Sequence, residues 1–420
     1  MTLEELSKRL APFTHPYDLT GECRWLDTLA REARAIAVGE GTHGSTEFFQ
    51  NQRDISKYLI EHHRARLILL ELPGTPGIEM NRRLATDASG IRAAIERFPF
   101  ETWNNEPIAE LLEFVRRWNR AHPHDRVVLR GIDPQPPEAI VWLRCLVPGP
   151  EPRALSLAEW CNEASAVIDT VHSLEAQGSS TRQHRSRILS GGRSPSSSEQ
   201  RPLFDVVQRG LALSDVFTDN PLIGDLIRTT CRNLAYRIRC LPYSPVVRLE
   251  VRDRSMAAGI IRAIRELSPD DRAIVLAHNA HVALGSPDLF ARGMGHFVRR
   301  GIGETGYRAI GATTGGGTVT SRLRVDSDQR AVYPSDPPPA YSLEYILQGV
   351  TATPVYVDIA DASRSDPMLN SLFRRRTVMR SMGSLLLKNE FCPVRPVSQF
   401  DGLVYFPKTH GSAAPTISTE

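Results

Sequence analysis

Several things are scarce in this chain of 420 residues, and each scarcity removes a class of function. Lysine occurs only at Lys8, Lys57, Lys388 and Lys408, so nearly all the positive charge is arginine, and the net charge is only +3. A nucleic-acid binder clusters its basic residues and interleaves aromatics. Here arginines alternate with acids along most helical stretches, and the one cluster, Arg374-Arg375-Arg376, reads as a solvated helix face. No apolar run approaches the roughly 18–20 residues of a transmembrane helix. The start, Met1-Thr2-Leu3-Glu4-Glu5-Leu6, has no basic region followed by an apolar core, so no secretory leader is expected. The six cysteines (Cys23, Cys145, Cys161, Cys231, Cys240, Cys392) include no Cys-x-x-Cys pair, which argues against a zinc ribbon and fits reduced cytoplasmic thiols. Gly-x-Ser-x-Gly and His-Glu-x-x-His are both absent. Gly301-Ile302-Gly303-Glu304-Thr305-Gly306 fits the dinucleotide pattern by letter. A strand pattern follows it, however, where a pyrophosphate would need a helix N-terminus.

What is present is an alternation. Apolar runs of strand length, Ala35–Val38, Leu67–Leu70, Val127–Leu129 and Ala273–Leu276, are separated by helical patterns over Glu47–His63 and Ile108–Trp118. Alternating strands and helices predict an α/β fold with a mostly parallel central sheet flanked by helices. From Ala154 to Cys240 the pattern is helical: Leu155–Leu174, Phe204–Leu213 and Leu222–Leu241, broken by a Ser/Gly/Arg-rich stretch over about 177–202 that reads as a flexible loop. The expected organisation is a core made of 1–150 and 245–420, with a helical insertion over 151–244 forming part of a cleft. Further on, Tyr307–Thr314 and Thr318–Leu323 around Gly315-Gly316-Gly317 predict a hairpin. Ser342–Gln348 predicts a capped helix, and Pro354–Ile359 and Gly402–Phe406 predict short strands.

Each main strand ends in a polar group. The first ends at Glu40 and His43, the second at Glu71, the third at Asp133, and the fourth at His278 and His281. The carboxyl ends of parallel strands lie along one edge, where open α/β sheets place their ligands. A carboxylate three positions from an imidazole can orient the ring and stabilise its cation, while the ring takes a proton near neutral pH. Any one such residue is commonly a cap or a loop hydrogen bonder. Four strand ends repeating the arrangement make a shared pocket the better explanation. The same residues are also acceptable ligands for zinc, manganese or iron, and their spacing does not separate a metal-dependent hydrolase from a metal-free one.

With these residues in place, the chain resembles the erythromycin esterase family. The resemblance is carried by Gly39-Glu40-Gly41-Thr42-His43-Gly44, Glu47-Phe48-Phe49, Glu71, Gly131-Ile132-Asp133, Arg252-Asp253 with Met256-Ala257, Ala277-His278-Asn279-Ala280-His281-Val282, Gly311-Ala312-Thr313 and Phe400 to Phe406. It implies a hydrolase of ester bonds, acting on a lactone or macrolactone, that needs no metal or other cofactor and forms no covalent intermediate. His43 would be the general base for water, oriented by Glu40. His278, His281, Glu71 and an arginine on the first helix would bind and polarise the substrate carbonyl. That arginine is usual nine residues after the motif histidine, where this chain has Gln52; Arg53 is one residue later, about 100° further round a helix.

The candidate site is therefore His43, Glu40 and His278 for catalysis, with Glu71, His281, Arg53 and Asp133 for binding, and with no metal. The expected partner is a small ester or lactone, not nucleic acid or membrane, and the expected compartment is the cytoplasm. A lyase or cyclase using the same base on carbon is the third reading. Family likeness alone does not confer macrolide resistance.

Overall fold

The structure, a computed structural model, describes residues 3–86, 90–96, 98, 101–135, 143, 151–179, 197–241, 243, 245–285, 292–323, 330–383 and 389–413. The chain divides into two compact units. The first comprises Met1–Glu71, Met80–Leu129 and Ala257–Glu420; the second comprises Leu72–Glu79 and Arg130–Met256.

The strands in chain order are β1 (Thr14–Pro16), β2 (Ala35–Glu40), β3 (Ala65–Pro73), β4 (Val128–Asp133), β5 (Arg272–His278), β6 (Tyr307–Thr314), β7 (Thr318–Arg322), β8 (Arg330–Pro334), β9 (Val355–Val357), β10 (Thr377–Arg380), β11 (Phe391–Val394) and β12 (Gly402–Phe406). Eight of them form one sheet in the order β1-β9-β12-β6-β2-β5-β3-β4. The run from β12 through β6, β2 and β5 to β3 is parallel. β9 is antiparallel to β12 and β1 is antiparallel to β9. The fold class is the one expected, a mostly parallel α/β sheet flanked by helices. Every residue of β2 and of β3 is buried, the mark of strands covered on both faces. Ala35, Ile36, Ala37 and Val38, with Leu67 to Leu70 and Ala273 to Leu276, supply the central layer.

Two helices pack on each other beside this layer. Thr46–His62 buries Phe48, Phe49, Ile55 and Leu59 at helical spacing. Glu106–Ala121 starts at Asn105, whose side chain accepts from the Ile108 amide at 3.1 Å, with Pro107 in the first turn where its missing N–H costs nothing. Ser342 caps Leu343–Gln348 by accepting from the Tyr345 amide at 3.2 Å.

The predicted hairpin across Gly315–Gly317 does not form. β6 stays in the main sheet, and β7 pairs antiparallel with β8 in a separate two-stranded sheet. The glycines serve the exit from the main sheet. Gly316 and Gly317 have φ of 151° and 115°, and a Cβ on Gly317 would lie 2.0 Å from the Thr409 carbonyl oxygen.

The second unit is helical over Pro152–Ser179, Ser197–Ser214 and Pro221–Cys240. Its core gathers Trp160, Cys161, Val171, Phe217, Ile227, Cys231 and Leu234. Gly210 allows the close approach here, because a Cβ would meet Cys231 Sγ and Trp160 Cζ2 at 2.5 Å. Of the stretch expected as a loop, 177–179 and 197–202 are helical and 180–196 lie outside the described residues. Among the described residues no helix is long and apolar enough to cross a membrane.

Candidate active site

Strand order explains why residues so distant in sequence meet. β5, the last of the four predicted strands, inserts between β2 and β3, the first two. Glu40 and His278 are register partners at the carboxyl ends of β2 and β5. Glu71 sits one residue beyond the Leu70–Leu276 pair on the other side of β5.

Glu40 is wholly buried, and its Oε1 lies 2.7 Å from Nδ1 of His43. An ionised carboxylate only accepts, so Nδ1 carries the hydrogen and the lone pair is left on Nε2. The other oxygen, Oε2, is buried with no hydrogen-bond partner among the described residues. Burial raises the Glu40 pKa above the ordinary glutamate value; His43 pulls the other way, while the Glu71 charge adds to the rise.

His278 ends β5 and caps the short helix Asn279–Val282, with Nδ1 accepting from the Ala280 amide at 3.2 Å. In the neutral ring the hydrogen is then on Nε2, which is buried, and the Gly41 carbonyl is the backbone acceptor near the ring. The ring is 4.9 Å from that of His43, centroid to centroid, at 60°. Burial, followed by the neighbouring His43 and His281, pushes the His278 pKa down to about 3, so the ring is a neutral donor throughout the physiological range. Glu71 joins the pieces. Its Oε2 accepts the His278 main-chain amide at 3.0 Å, and its Oε1 is 3.2 Å from His281 Nε2. Trp103, buried, holds the same strand end by donating its indole N–H to the Glu71 carbonyl at 2.7 Å.

The small residues of the Gly39–Gly44 turn answer to close neighbours. A Cβ on Gly39 would lie 2.2 Å from Asn279 Oδ1, one on Gly41 2.9 Å from the Ala312 oxygen, and one on Gly44 1.8 Å from the Thr320 oxygen. Asn279 uses its amide as a backbone mimic, donating to the Ala312 carbonyl at 2.7 Å and accepting from the Ala312 amide at 3.1 Å. The turn is also tied to distant chain: His43 N to Met382 O (3.2 Å), Met382 N to Gly41 O (2.8 Å), and Thr320 N and Ser412 N to Gly44 O (2.9 Å each). Glu47 binds His410 through both its main-chain amide (2.7 Å) and its ring (2.6 Å).

Five of the seven candidate residues, Glu40, His43, Glu71, His278 and His281, thus share one strand-end cluster. Arg53 does not join it. Its guanidinium is held by Asp54 at 2.7 Å and by Glu110. Gln52 is the side chain of that helix turned toward β2, fully buried with its amide donating to the Val38 carbonyl at 3.3 Å. Asp133 belongs to the second unit, where it is buried and gripped by Arg252 through Nε (3.0 Å) and Nη2 (2.8 Å). Sequence reasoning missed Arg330 on β8, whose Nη2 is 3.4 Å from the His43 carbonyl. It also missed Gly383, where an added Cβ would lie 3.7 Å from His43 Cδ2. Neither position carries a pattern that marks it. Among the described residues no three His, Cys, Asp or Glu side chains are grouped to hold a metal ion.

A mostly parallel sheet with a hydrogen-bonded carboxylate–imidazole pair at its carboxyl edge defines an α/β protein. Residues 60–409 match the family model described as erythromycin esterase, and the chain belongs to that family, which places it among the hydrolases. A putative hydrolase of Bacillus subtilis, YbfO, is 20% identical over 362 residues, covering 80% of this chain and 76% of that one. A solved structure titled a succinoglycan biosynthesis protein is similar over 98% of both chains, with a TM-score of 0.75 and 17% identity. A mutant of the erythromycin esterase EreC in its open conformation is similar over 96% of this chain and 99% of that one, with a TM-score of 0.65 and 19% identity. At these identities the likeness to the solved structures is one of fold.

Proposed function

We propose that this chain hydrolyses a carboxylic ester or lactone by general-base activation of water at His43. The observation that carries the reading is the pairing of two imidazoles in opposite roles. His43 is hydrogen-bonded at Nδ1 to buried Glu40, leaving Nε2 as base, and its ring lies 4.9 Å from that of His278, which is kept neutral with Nε2–H as donor. In this scheme His43 Nε2 takes a proton from water while the water oxygen bonds to the acyl carbon. Glu40 stabilises the imidazolium, and the carbonyl oxygen gains charge facing the His278 Nε2–H. Collapse breaks the carbon–oxygen bond to the alkoxy group, and His43 returns the proton to that leaving oxygen. Acid and alcohol form, and no covalent adduct is required. His281, fixed against Glu71, is the second imidazole available to the acyl group. The family's name supports a macrolactone among the substrates to be tried, and the free thiols of Cys23, Cys231 and Cys392 support a cytoplasmic setting.

The test is a turnover screen of macrolides and simple lactones with mass detection, run with and without chelator. Hydrolysis adds the mass of one water, and activity should survive chelation. Product of unchanged mass would make the enzyme a lyase or cyclase. Activity lost on chelation and restored by one metal would make it a metal-dependent hydrolase. Either result overturns the scheme.

A further inference from the structure

Arg330 begins β8 and reaches back over the turn that carries His43. Its Nη2 donates to the main-chain carbonyls of His43 (3.4 Å) and Thr320 (3.3 Å), and its Nη1 donates to that of Glu101 (3.3 Å). Nε lies 3.8 Å from the Glu101 carboxylate, and the side chain is only 21% exposed. One planar fork thus ties together three segments: the β2 turn, strand β7 and the 3₁₀ turn Glu101–Trp103. That last turn also holds the Glu71 strand end through Trp103. The fork geometry suits arginine and not lysine.

We propose that Arg330 is a positioning residue of this site, pinning the His43 turn through its main-chain carbonyl and setting a positive charge beside the buried Glu40. The inference rests on the His43–Glu40 reading above. The charged and titratable groups around that pair are Glu71 from β3, His278 and His281 from the end of β5, Glu101 from the 3₁₀ turn, and Arg322 and Arg330 from β7 and β8. Burial and Arg322 lower the Arg330 pKa, while Glu101 and Glu40 raise it, which places Arg330 and Glu40 within electrostatic reach of each other. Among the described residues Oε2 of Glu40 has no hydrogen-bond donor. A fixed cation nearby offsets part of the cost of keeping that carboxylate ionised while the imidazole is neutral, the state a base needs.

The experiment is a ¹⁵N NMR titration of the His43 ring in the full chain labelled at histidine, assigned with His43→Asn. Removing the cation in Arg330→Gln should raise the midpoint of the His43–Glu40 pair by roughly 0.5–1 pH unit, because both groups then hold their protons more readily. Arg330→Lys should shift it by less than half as much. Glu101→Gln, at a half-exposed position and independent of whether the Arg330 variants fold, should lower the midpoint by leaving the guanidinium less neutralised. Unchanged midpoints in a folded Arg330→Gln, or in Glu101→Gln, would overturn the proposal. The readout needs no substrate, so a failure of the esterase reading appears in the turnover screen and not here.

Discussion

Glu40 and His278 sit opposite each other in the β2–β5 register, so the carboxylate that orients one imidazole is fixed by the same backbone ladder that presents the other. Neither side chain can shift along its strand without carrying the other's strand with it. Glu40→Gln should lower turnover of whatever ester the screen identifies by at least about 10²-fold, because the imidazolium loses its counter-charge. It should also stabilise the fold at neutral pH. Burial raises the folded pKa of Glu40, so its contribution is fully present below the unfolded value and lost as pH rises through the folded one. Thermal melts of both proteins across pH 4–8 should show the variant gaining on the wild type as pH rises. A parallel pair of curves would contradict this.

His278 carries the opposite sign. Its folded pKa is depressed to about 3, against an ordinary value of 6.5. Between those values the unfolded chain binds a proton that the folded chain does not, so stability falls as pH drops through that window. His278→Asn keeps a residue able to cap Asn279–Val282 but removes the titration. The variant should lose less stability between pH 6.5 and 4 than the wild type, by denaturant titration at each pH. An equal or steeper loss would show that the imidazole is not held neutral.

The turn glycines give a packing test. Gly44→Ala would put a methyl 1.8 Å from the Thr320 carbonyl oxygen, a backbone atom that cannot rotate away, and should cost about 1–3 kcal/mol. Because His43 is adjacent, activity should fall with stability. Gly259→Ala, inside helix Pro245–Glu266 with nothing within 4 Å of the new Cβ, should instead add about 0.5–1 kcal/mol and leave turnover alone. Urea denaturation of the two variants decides this.

Gln52 and Arg53 are neighbours with different attachments. Arg53 answers to Asp54 and Glu110, whereas Gln52 reaches the Val38 carbonyl two residues before Glu40. Gln52→Leu should therefore lower kcat more than Arg53→Gln does, the latter staying within about 5-fold of wild type. Steady-state kinetics in which Arg53→Gln shows the larger loss would return Arg53 to the binding site.

The strand ends were readable from sequence because buried parallel strands are continuous apolar runs, and each run here stops at a carboxylate or imidazole. Their adjacency was not readable. Periodicity identifies β5 as a strand but carries no information on its insertion between β2 and β3. The same limit explains the hairpin error. Gly315–Gly317 marks a sharp change of direction, and two strands flanking such a turn usually pair. Here β7 finds β8 instead, a strand with no apolar alternation of its own and no buried residue. Arg330 was invisible for that reason. It belongs to no motif, and its importance comes from three carbonyls that only the folded chain brings together. The helix Thr46–His62 shows the reverse case, where one residue of offset in sequence settled into a clear division between Gln52 inward and Arg53 outward.

Turnover in heavy-oxygen water by the wild type and by His43→Ala separates attack of water at the acyl carbon, with His43 as its base, from every other route. We expect one labelled oxygen in the product carboxylate, none in the alcohol, and a rate lowered by roughly 10²- to 10⁴-fold in a variant that melts as the wild type does. Label in the alcohol, an unlabelled product, or an undiminished rate in His43→Ala would contradict the scheme.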